Sequence, residues 1–467
     1  MSEILKHILQ NKEILILGYG LEGQATYKVI RKLFPDLALS IADKDDNLLI
    51  KYPLLKTDPY LNLICGPEYL DFLQNFNLII KSPGISPKLF PYTPPTENMS
   101  SQTELFITAF REQIIGVTGT KGKSTTSSLI AHLLNKHFPH ILLAGNIGTP
   151  PFEMIDDIRP ETIIVYEMSS HQLEQTAVSP HIAVILNIFE EHLDHYKNYD
   201  AYQQAKINIT RFQQEHDYLV YVADNILLKG LIIKTKPVSK PIPVSLSNKS
   251  MNGIRADHHA IYSDMGLNPE KLIDINDQIP LRGDHNLLNI MCALAVCKIL
   301  DMPLPEIKES LTGFKPLEHR MEYFGDYNGI HFYNDSIATI PEATEAAIRA
   351  LGDVDTVILG GVDRGIDYSG LASFIPASGI NNLIFVGEAG TRIHKLLIKH
   401  QRVMNFFTAT DYSEVVNLAM AKTERGKICL LSPAAASYDW FRNFEERGKV
   451  FKLLVAQYNS ELAFKEK

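Results

Sequence analysis

The stretch 116-GVTGTKGKSTTSSLI-130 has the residue types of a phosphate cradle. Glycines 119 and 122 let backbone N–H groups close on phosphate oxygens, and a helix starting there adds a favourable dipole. In such a loop Lys123 reaches the β- and γ-phosphates and Ser124 ligates Mg2+. The frame departs from GxxxxGK[ST] at one place, where Val117 stands for the first glycine. Gly-Lys-Ser-Thr between a strand and a helix signals ATP or GTP, but it names no reaction. A second glycine-rich turn, 18-GYGLEG-23, also follows a short apolar run, and Asp43 lies 20 residues past Gly23. Taken alone, that is the spacing of a dinucleotide site. The P-loop that follows weighs against a dehydrogenase.

Further chemistry lies downstream. The strand expected over Thr162–Glu167 ends on Glu167, where open α/β sheets place ligand contacts. The segment 187-NIFEEHLDHY-196 follows the next expected strand and offers Glu190, Glu191, His192, Asp194 and His195. Each alone is more often a solvated charge, but the position after a strand end favours one or two as ligands. Lys206 lies in 202-YQQAKINI-209, and His285, Asn286 and Asn289 open an expected helix. A lone lysine on a helix is ordinarily a surface group.

These groups need strand ends to hold them, and the chain supplies strands alternating with helices. Strands are expected at Ile14–Leu17, 39–43 and 78–86, followed by a Pro-, Ser- and Thr-rich linker over 91–102. A second series is expected at Ile114–Thr118, Ile141–Leu143, Thr162–Glu167, Ile182–Ile188 and Tyr218–Val222. The polar stretch 234–280 gives no clear pattern. A third series is expected at Ile330–Tyr333, Thr356–Leu359, Leu383–Val386 and Lys427–Leu431. Alternation of this kind predicts an α/β protein with parallel sheets. The 467 residues suffice for two to four domains. The net charge of −9 argues against a broad nucleic-acid surface. Cys65, Cys292, Cys297 and Cys429 contain no CxxC pair, which points away from zinc and disulfides and towards a reducing cytoplasm. No run reaches the ~18 apolar residues of a membrane span, and the start reads as a helix and strand, not a signal peptide.

Together TGTKGKST, GNIG (145–148), EMSSHQLE, NIFEEHLDHY, Ala205-Lys206, HNLLN, EHR (318–320), NDS (334–336) and LLSPAAASYDWFRNFEERG (430–448) resemble the Mur ligases. The last segment resembles their glutamate-adding branch. The resemblance implies three domains: a Rossmann-like UDP-substrate domain over 1–108, a central P-loop ATPase domain with a parallel sheet over 109–315, and a Rossmann-like amino-acid-binding domain over 316–467. It implies ATP-dependent amide formation through an acyl phosphate, joining glutamate to UDP-N-acetylmuramoyl-L-alanine in the cytoplasm. The enzyme is expected to be a monomer with no nucleic-acid or membrane partner.

The resemblance also implies a site map. ATP would meet Gly119, Thr120, Lys121, Gly122, Lys123, Ser124 and Thr125, together with Asn286, Asn289, Arg320 and Asp335. Gly20, Leu21, Glu22, Asp43, Lys44, Ser82 and Gly84 would hold the uridine end of the substrate, and Asn146 and Ser169 its muramoyl-alanine arm. Two Mg2+ ions are implied, one on Ser124 and Glu167 and one on His192, with Lys206 a carbamylated ligand. Lys123, His192 and Lys206 would be catalytic, and Thr339, Arg364, Ser432 and Phe441 would line the glutamate pocket.

Three positions depart from the pattern: Ile337 and Arg364 stand where the resemblance leads one to expect lysines, and Lys121 where Asn is common. Arg364 can still grip a carboxylate bidentately. The exchange leaves D- and L-glutamate both open as substrates, and the breadth of the resemblance favours D-glutamate, with L-glutamate the alternative. A folylpolyglutamate-synthase-like ligase would lack a domain like residues 1–90. A non-catalytic P-loop or NAD-binding protein would need neither Lys206 nor the SPAAAS segment.

Overall fold

The computed structural model describes residues 2–92, 94–145, 149–191, 195–247, 252–275, 281, 283–315, 318–399 and 404–465. The chain divides into two compact units, Met1–Ile279 with His285–Phe314, and Pro280–Asp284 with Lys315–Lys467. The first unit contains two sheets and the second contains one.

The N-terminal sheet runs, edge to edge, Leu61–Cys65, Leu39–Asp43, Ile14–Leu17, Leu78–Lys81 and Met99–Ser100, all parallel. Its central strand, ILIL, is buried at every position, as parallel strands covered on both faces require. The third expected strand stops at Lys81 instead of 86, because Ser82 N–H bonds to Leu17 O and the chain then turns, Ile85 N–H bonding to Ser82 O. Residues 91–102, expected as a linker, contain a short strand, Met99–Ser100, and the N-cap Ser101 of the helix Gln102–Phe110. The strand Leu61–Cys65, only half-buried at a sheet edge, lies outside the expected strands.

The helix Leu21–Leu33 follows the first strand closely. A Cβ on Gly23 would lie 2.1 Å from Gly18 O, so the third glycine of GYGLEG exists to let helix and strand touch. Gly20 has open space around its Cβ position instead.

The second sheet of this unit has nine strands. Ile141–Gly145, Ile163–Glu167, Ile114–Thr118, Ile182–Ile185, Tyr218–Val222, Lys240–Ser245 and Ile254–Ala256 run parallel. Ala260–Ser263 and Glu270–Asp274 then complete an antiparallel meander. The meander fills the stretch that gave no sequence pattern. Its strands are three to five residues long, and Asp257 makes the tight turn by accepting the N–H groups of His259 and Ala260.

In the second unit Glu322–Tyr327, Ile330–Asn334, Ile428–Leu431, Val354–Gly360, Asn382–Val386 and Asn405–Thr408 form one sheet, parallel except for the first pair. That hairpin was not expected, although Asn328-Gly329, both at positive φ, is the two-residue turn that signals one. The edge strand Asn405–Thr408 was also missed.

Gly23→Ala should lower the denaturant midpoint of the first unit, since a backbone oxygen cannot move aside; overpacking costs about 1–3 kcal/mol. Gly20→Ala should leave it nearly unchanged. Equal midpoints for the two variants would show that helix and strand can separate freely.

Candidate active site

Both glycine-rich turns of the first unit sit at carboxyl ends of parallel strands. In the N-terminal sheet the chain crosses over at Ile14–Leu17, whose neighbours are Leu39–Asp43 and Leu78–Lys81. Such switch points open a crevice. Gly20, Leu21 and Glu22 line it from one side, and Ser82, Pro83 and Gly84 from the other. Ser82 Oγ ties the two by donating to Gly18 O at 2.9 Å.

The crevice continues into a cavity of about 550 Å³, also lined by Lys123, Gly145, Ser169, His171, Gln172, Glu191, Tyr202 and Lys206. One cavity therefore touches the GYGLEG turn and the phosphate loop.

The phosphate loop joins Ile114–Thr118 to the helix Lys123–Leu134 through Gly122, whose φ of +86° lies in the left-handed region. A Cβ on Gly122 would lie 2.6 Å from Asn289 Oδ1, so the buried Asn289 packs directly on the loop. Asn286, one turn earlier, accepts from Asn289 Nδ2. The loop is also clamped by the segment after Ile182–Ile185. Thr120 N–H bonds to Asn187 O, Lys121 N–H to Asn187 Oδ1, and Phe189 N–H to Thr120 Oγ1. Thr120 Oγ1 also lies 2.8 Å from Tyr202 Oη, and Lys121 Nζ pairs with Glu191 at 2.8 Å.

Two ammonium groups converge on this loop. Lys123 Nζ donates to Gly119 O at 3.0 Å and Thr120 O at 3.1 Å. Lys206 Nζ, from the helix Tyr199–Arg211, donates to the same Gly119 O at 2.9 Å. Lys206 is only 2% exposed, not the surface group a helix lysine usually is. Burial pushes its ammonium well below the ordinary lysine range, and the nearby Lys123 pushes it the same way. Glu167 is fully buried at the end of Ile163–Glu167, on the neighbouring strand.

Glu22 and Gln172 join the sheets beneath the cavity, Gln172 Nε2 donating to Glu22 Oε1 at 2.8 Å. Burial raises the Glu22 carboxyl. Ser169 caps the short helix Ser170–Leu173 with a reciprocal bond to Gln172. Asp43 does not line the cavity; its two oxygens accept Tyr19 N–H and Asp45 N–H, so it shapes the turn from behind. Lys44 does not line it either. Asn146 and His192 lie outside the described residues. Asn187, Gln172, Tyr202 and His171 belong to the site although none was singled out for it, and Glu191, one of the five candidates of its segment, joins them. All of them stand inside the quoted motifs, and their roles as clamps and lining are not encoded in residue type.

The second unit contains the remaining positions. Asp335 is wholly buried; Ser432 Oγ donates to its Oδ2 at 2.8 Å and Met321 N–H to its Oδ1 at 3.1 Å. Burial pushes its carboxyl up to about 7, against those hydrogen bonds and the charge of Arg320. Arg447, also buried, donates to Ser336 Oγ, Ser336 O and Ala435 O, which locks the NDS and SPAAAS segments together. Phe441 meets Tyr412 edge-on, centroids 4.9 Å apart. Arg364 donates to Thr339 O at 3.3 Å, so two expected pocket residues are in contact. Asp363 does not compete for Arg364, because both its oxygens accept from Arg392 at 2.6 Å.

A phosphate loop, a buried lysine beside a second, half-buried one, and carboxylate oxygens around one cavity define a nucleotide-dependent enzyme. Two family models match the chain: "Mur ligase middle domain" over residues 117–297 and "Mur ligase, glutamate ligase domain" over 319–435. A relative from Desulfitobacterium hafniense, named UDP-N-acetylmuramoylalanine--D-glutamate ligase, is 34% identical over 97% of this chain and 99% of its own. A relative of the same name from Ruminiclostridium cellulolyticum is 32% identical over 97% and 98%. Among solved structures, a MurF ligase from Thermotoga maritima in complex with ADP aligns over 98% of this chain and 100% of its own, with a TM-score of 0.59 and 16% identity. The chain belongs to the Mur ligase family and is an ATP-dependent ligase.

The raised Asp335 carboxyl gives the second unit a pH signature. Between the ordinary carboxylate range and about pH 7 the folded unit holds a proton that the unfolded chain does not. Its contribution to stability therefore falls as pH rises through that window, by at most about 1.4 kcal/mol per pH unit. The difference in unfolding free energy between the native chain and Asp335→Asn should shift with that sign up to about pH 7 and then flatten. A difference independent of pH would mean that the carboxylate is ionised throughout.

Proposed function

We propose that the enzyme joins D-glutamate to the alanyl carboxylate of UDP-N-acetylmuramoyl-L-alanine, in the cytoplasm, during peptidoglycan precursor synthesis. The observation that carries this reading is the single cavity lined by both glycine-rich turns, one suited to a substrate diphosphate and the other to ATP. The D-isomer is favoured by the names of the relatives matched over nearly their full length. Residues 1–108, 109–315 and 316–467 serve the UDP-substrate, ATP and the amino acid respectively.

The chemistry runs in two steps. The alanyl carboxylate attacks the γ-phosphorus, ADP leaves, and an acyl phosphate forms. The amine of glutamate then attacks the acyl carbon, the amide C–N bond forms, the C–O bond to phosphate breaks, and the amine gives up a proton. Lys123 and the loop N–H groups stabilise charge on the transferring phosphoryl oxygens. Ser124 and Glu167 offer the hard oxygen donors that suit Mg2+, and His192 would help hold a second ion. A bound Mg2+ neutralises phosphate charge.

Lys206 fits the carbamate role because its surroundings already disfavour an ammonium. The neutral amine is the form that adds to CO2, and the product is an anionic oxygen donor. Lys206→Ala should abolish turnover, and acetate should restore part of it. Native protein in 13C-bicarbonate should show a carbamate carbon resonance that the variant lacks. Full activity in the variant, or no such resonance in the native protein, would remove the assignment.

Arg364 serves in this reading as the principal cation for a glutamate carboxylate, since Ile337 cannot supply one. Phosphate release in the presence of ATP, Mg2+ and UDP-N-acetylmuramoyl-L-alanine should require D-glutamate, with L-glutamate at background. Lys123→Ala should remove nearly all of it. Arg364→Ala should raise the KM for glutamate about tenfold or more with the KM for ATP unmoved, as expected for a charge-assisted contact of about 1.5–3 kcal/mol. Turnover with L-glutamate alone would show that the Ile337 and Arg364 exchange rebuilt the pocket for the other isomer.

A further inference from the structure

The nine-stranded sheet has a second chemical edge. Its phosphate loop lies at the carboxyl end of Ile114–Thr118. At the amino ends of Ile114–Thr118, Ile182–Ile185 and Tyr218–Val222, three adjacent strands, stand Glu112, His181, His216 and Asp217. No step of the ligation uses them.

Their ligand atoms converge. His181 Nδ1 lies 2.9 Å from Asp217 Oδ1 and 3.7 Å from Glu112 Oε2. His216 Nε2 lies 3.6 Å from Asp217 Oδ1 and 3.7 Å from Glu112 Oε2. All four atoms fall within 4.8 Å of one another. A tetrahedral ion with bonds of about 2.0–2.1 Å needs ligand atoms about 3.3–3.4 Å apart. The four measured edges straddle that value, so small side-chain rotations would complete the polyhedron.

The surroundings favour an ion over a plain hydrogen-bonded cluster. Each carboxylate turns its other oxygen away from the histidines to Arg111: Nη1 meets Glu112 Oε1 at 2.6 Å, and Nη2 meets Asp217 Oδ2. Asp217 Oδ2 also accepts Gln214 N–H. Oδ1 and Oε2 are thereby aimed at the imidazoles by fixed partners, the arrangement that outer-sphere groups give metal ligands. The backbone fixes the loops as well, His181 N–H bonding to Arg111 O and Tyr218 N–H to His181 O. Asp217 is buried, whereas Glu112 and His216 are 63% and 54% exposed, which leaves an entry path.

We propose that Glu112, His181, His216 and Asp217 form a binding site for a tetrahedral divalent transition ion, of which Zn2+ is the type. Two imidazoles and two carboxylates suit Zn2+ better than Mg2+, which takes oxygen donors in octahedral sets. The ion would staple three strand ends at the edge of the sheet remote from the phosphate loop. Its effect falls on stability, and ligation does not depend on it.

The test compares the full-length native chain with His216→Ala and Glu112→Gln, both exposed positions whose exchange leaves the core intact. Zn2+ alone, competed against a chromophoric chelator, should load one more ion per chain on the native protein than on His216→Ala, with Glu112→Gln at least about tenfold weaker. Co2+ should give the visible absorption of a tetrahedral ion in the native chain only. Zn2+ should raise the Tm of the native chain by several degrees more than that of either variant, while ATP-dependent phosphate release stays equal in all three. Identical Zn2+ loading, Co2+ spectra and Tm shifts across the three proteins would overturn the proposal and leave the cluster an ion-pair network.

Discussion

The carbonyl of Gly119 receives two lysine ammonium groups, Lys123 at 3.0 Å and Lys206 at 2.9 Å. Two cations at one buried oxygen are unfavourable unless one gives up its proton or anions gather round them. The loop is therefore tuned to anions before any chemistry begins. The rest of the first unit serves this point. Asn187 holds the loop backbone from the neighbouring strand end, Tyr202 holds Thr120, Asn289 packs on Gly122, and Glu191 takes the charge of Lys121. The clamps come from the segment after Ile182–Ile185 and from two helices, Tyr199–Arg211 and Asp284–Ile299, so the loop is fixed by its neighbours and not by its own sequence.

The same logic explains the pair of glycine-rich turns. Parallel sheets offer their carboxyl ends as ligand edges, but each sheet offers one switch point. A substrate that carries its own diphosphate and also reacts with ATP needs two anion-receiving edges facing one space. In the N-terminal sheet the crevice is open at Gly20 and Gly84, where a Cβ would meet nothing within 4 Å. The Glu22–Gln172 hydrogen bond keeps the two sheets in register beneath that space.

Much of the architecture was legible because parallel strands write themselves as short apolar runs. Ile14–Leu17, Ile114–Thr118 and Tyr218–Val222 appear where the sequence puts them. What escaped was edge structure. Leu61–Cys65 and Asn405–Thr408 expose part of each face, and the meander after Lys240 is built from turns with polar side chains, so none carries a continuous apolar signature. The site divides along the same line. Lys123, Glu167 and Lys206 could be named from motifs, because their chemistry restricts residue type. That Asp43 turns inward, or that Asp363 belongs to Arg392, depends on which neighbours the fold brings up, and spacing along the chain is silent on it.

The second unit shows how a motif can be structural and still decide chemistry. The segment ending in NFEERG resembles a binding signature, yet Arg447 within it is buried and spends its guanidinium on Ser336 and Ala435. It stitches together the loops that carry Asp335, Ser432 and Thr339. Buried arginine has few alternatives to such bonds, so it fixes loop geometry more strictly than an apolar residue would. Ile337 sits inside that stitched loop, where its N–H bonds to His319 O, and Arg364 approaches from the loop after Val354–Gly360 to reach Thr339 O. The chain lacks the cation expected at position 337 and keeps one at 364, as arginine, so positive charge approaches Thr339 from one direction, the loop after Val354–Gly360. A carboxylate is sensitive to that direction because the guanidinium fork is planar and rigid.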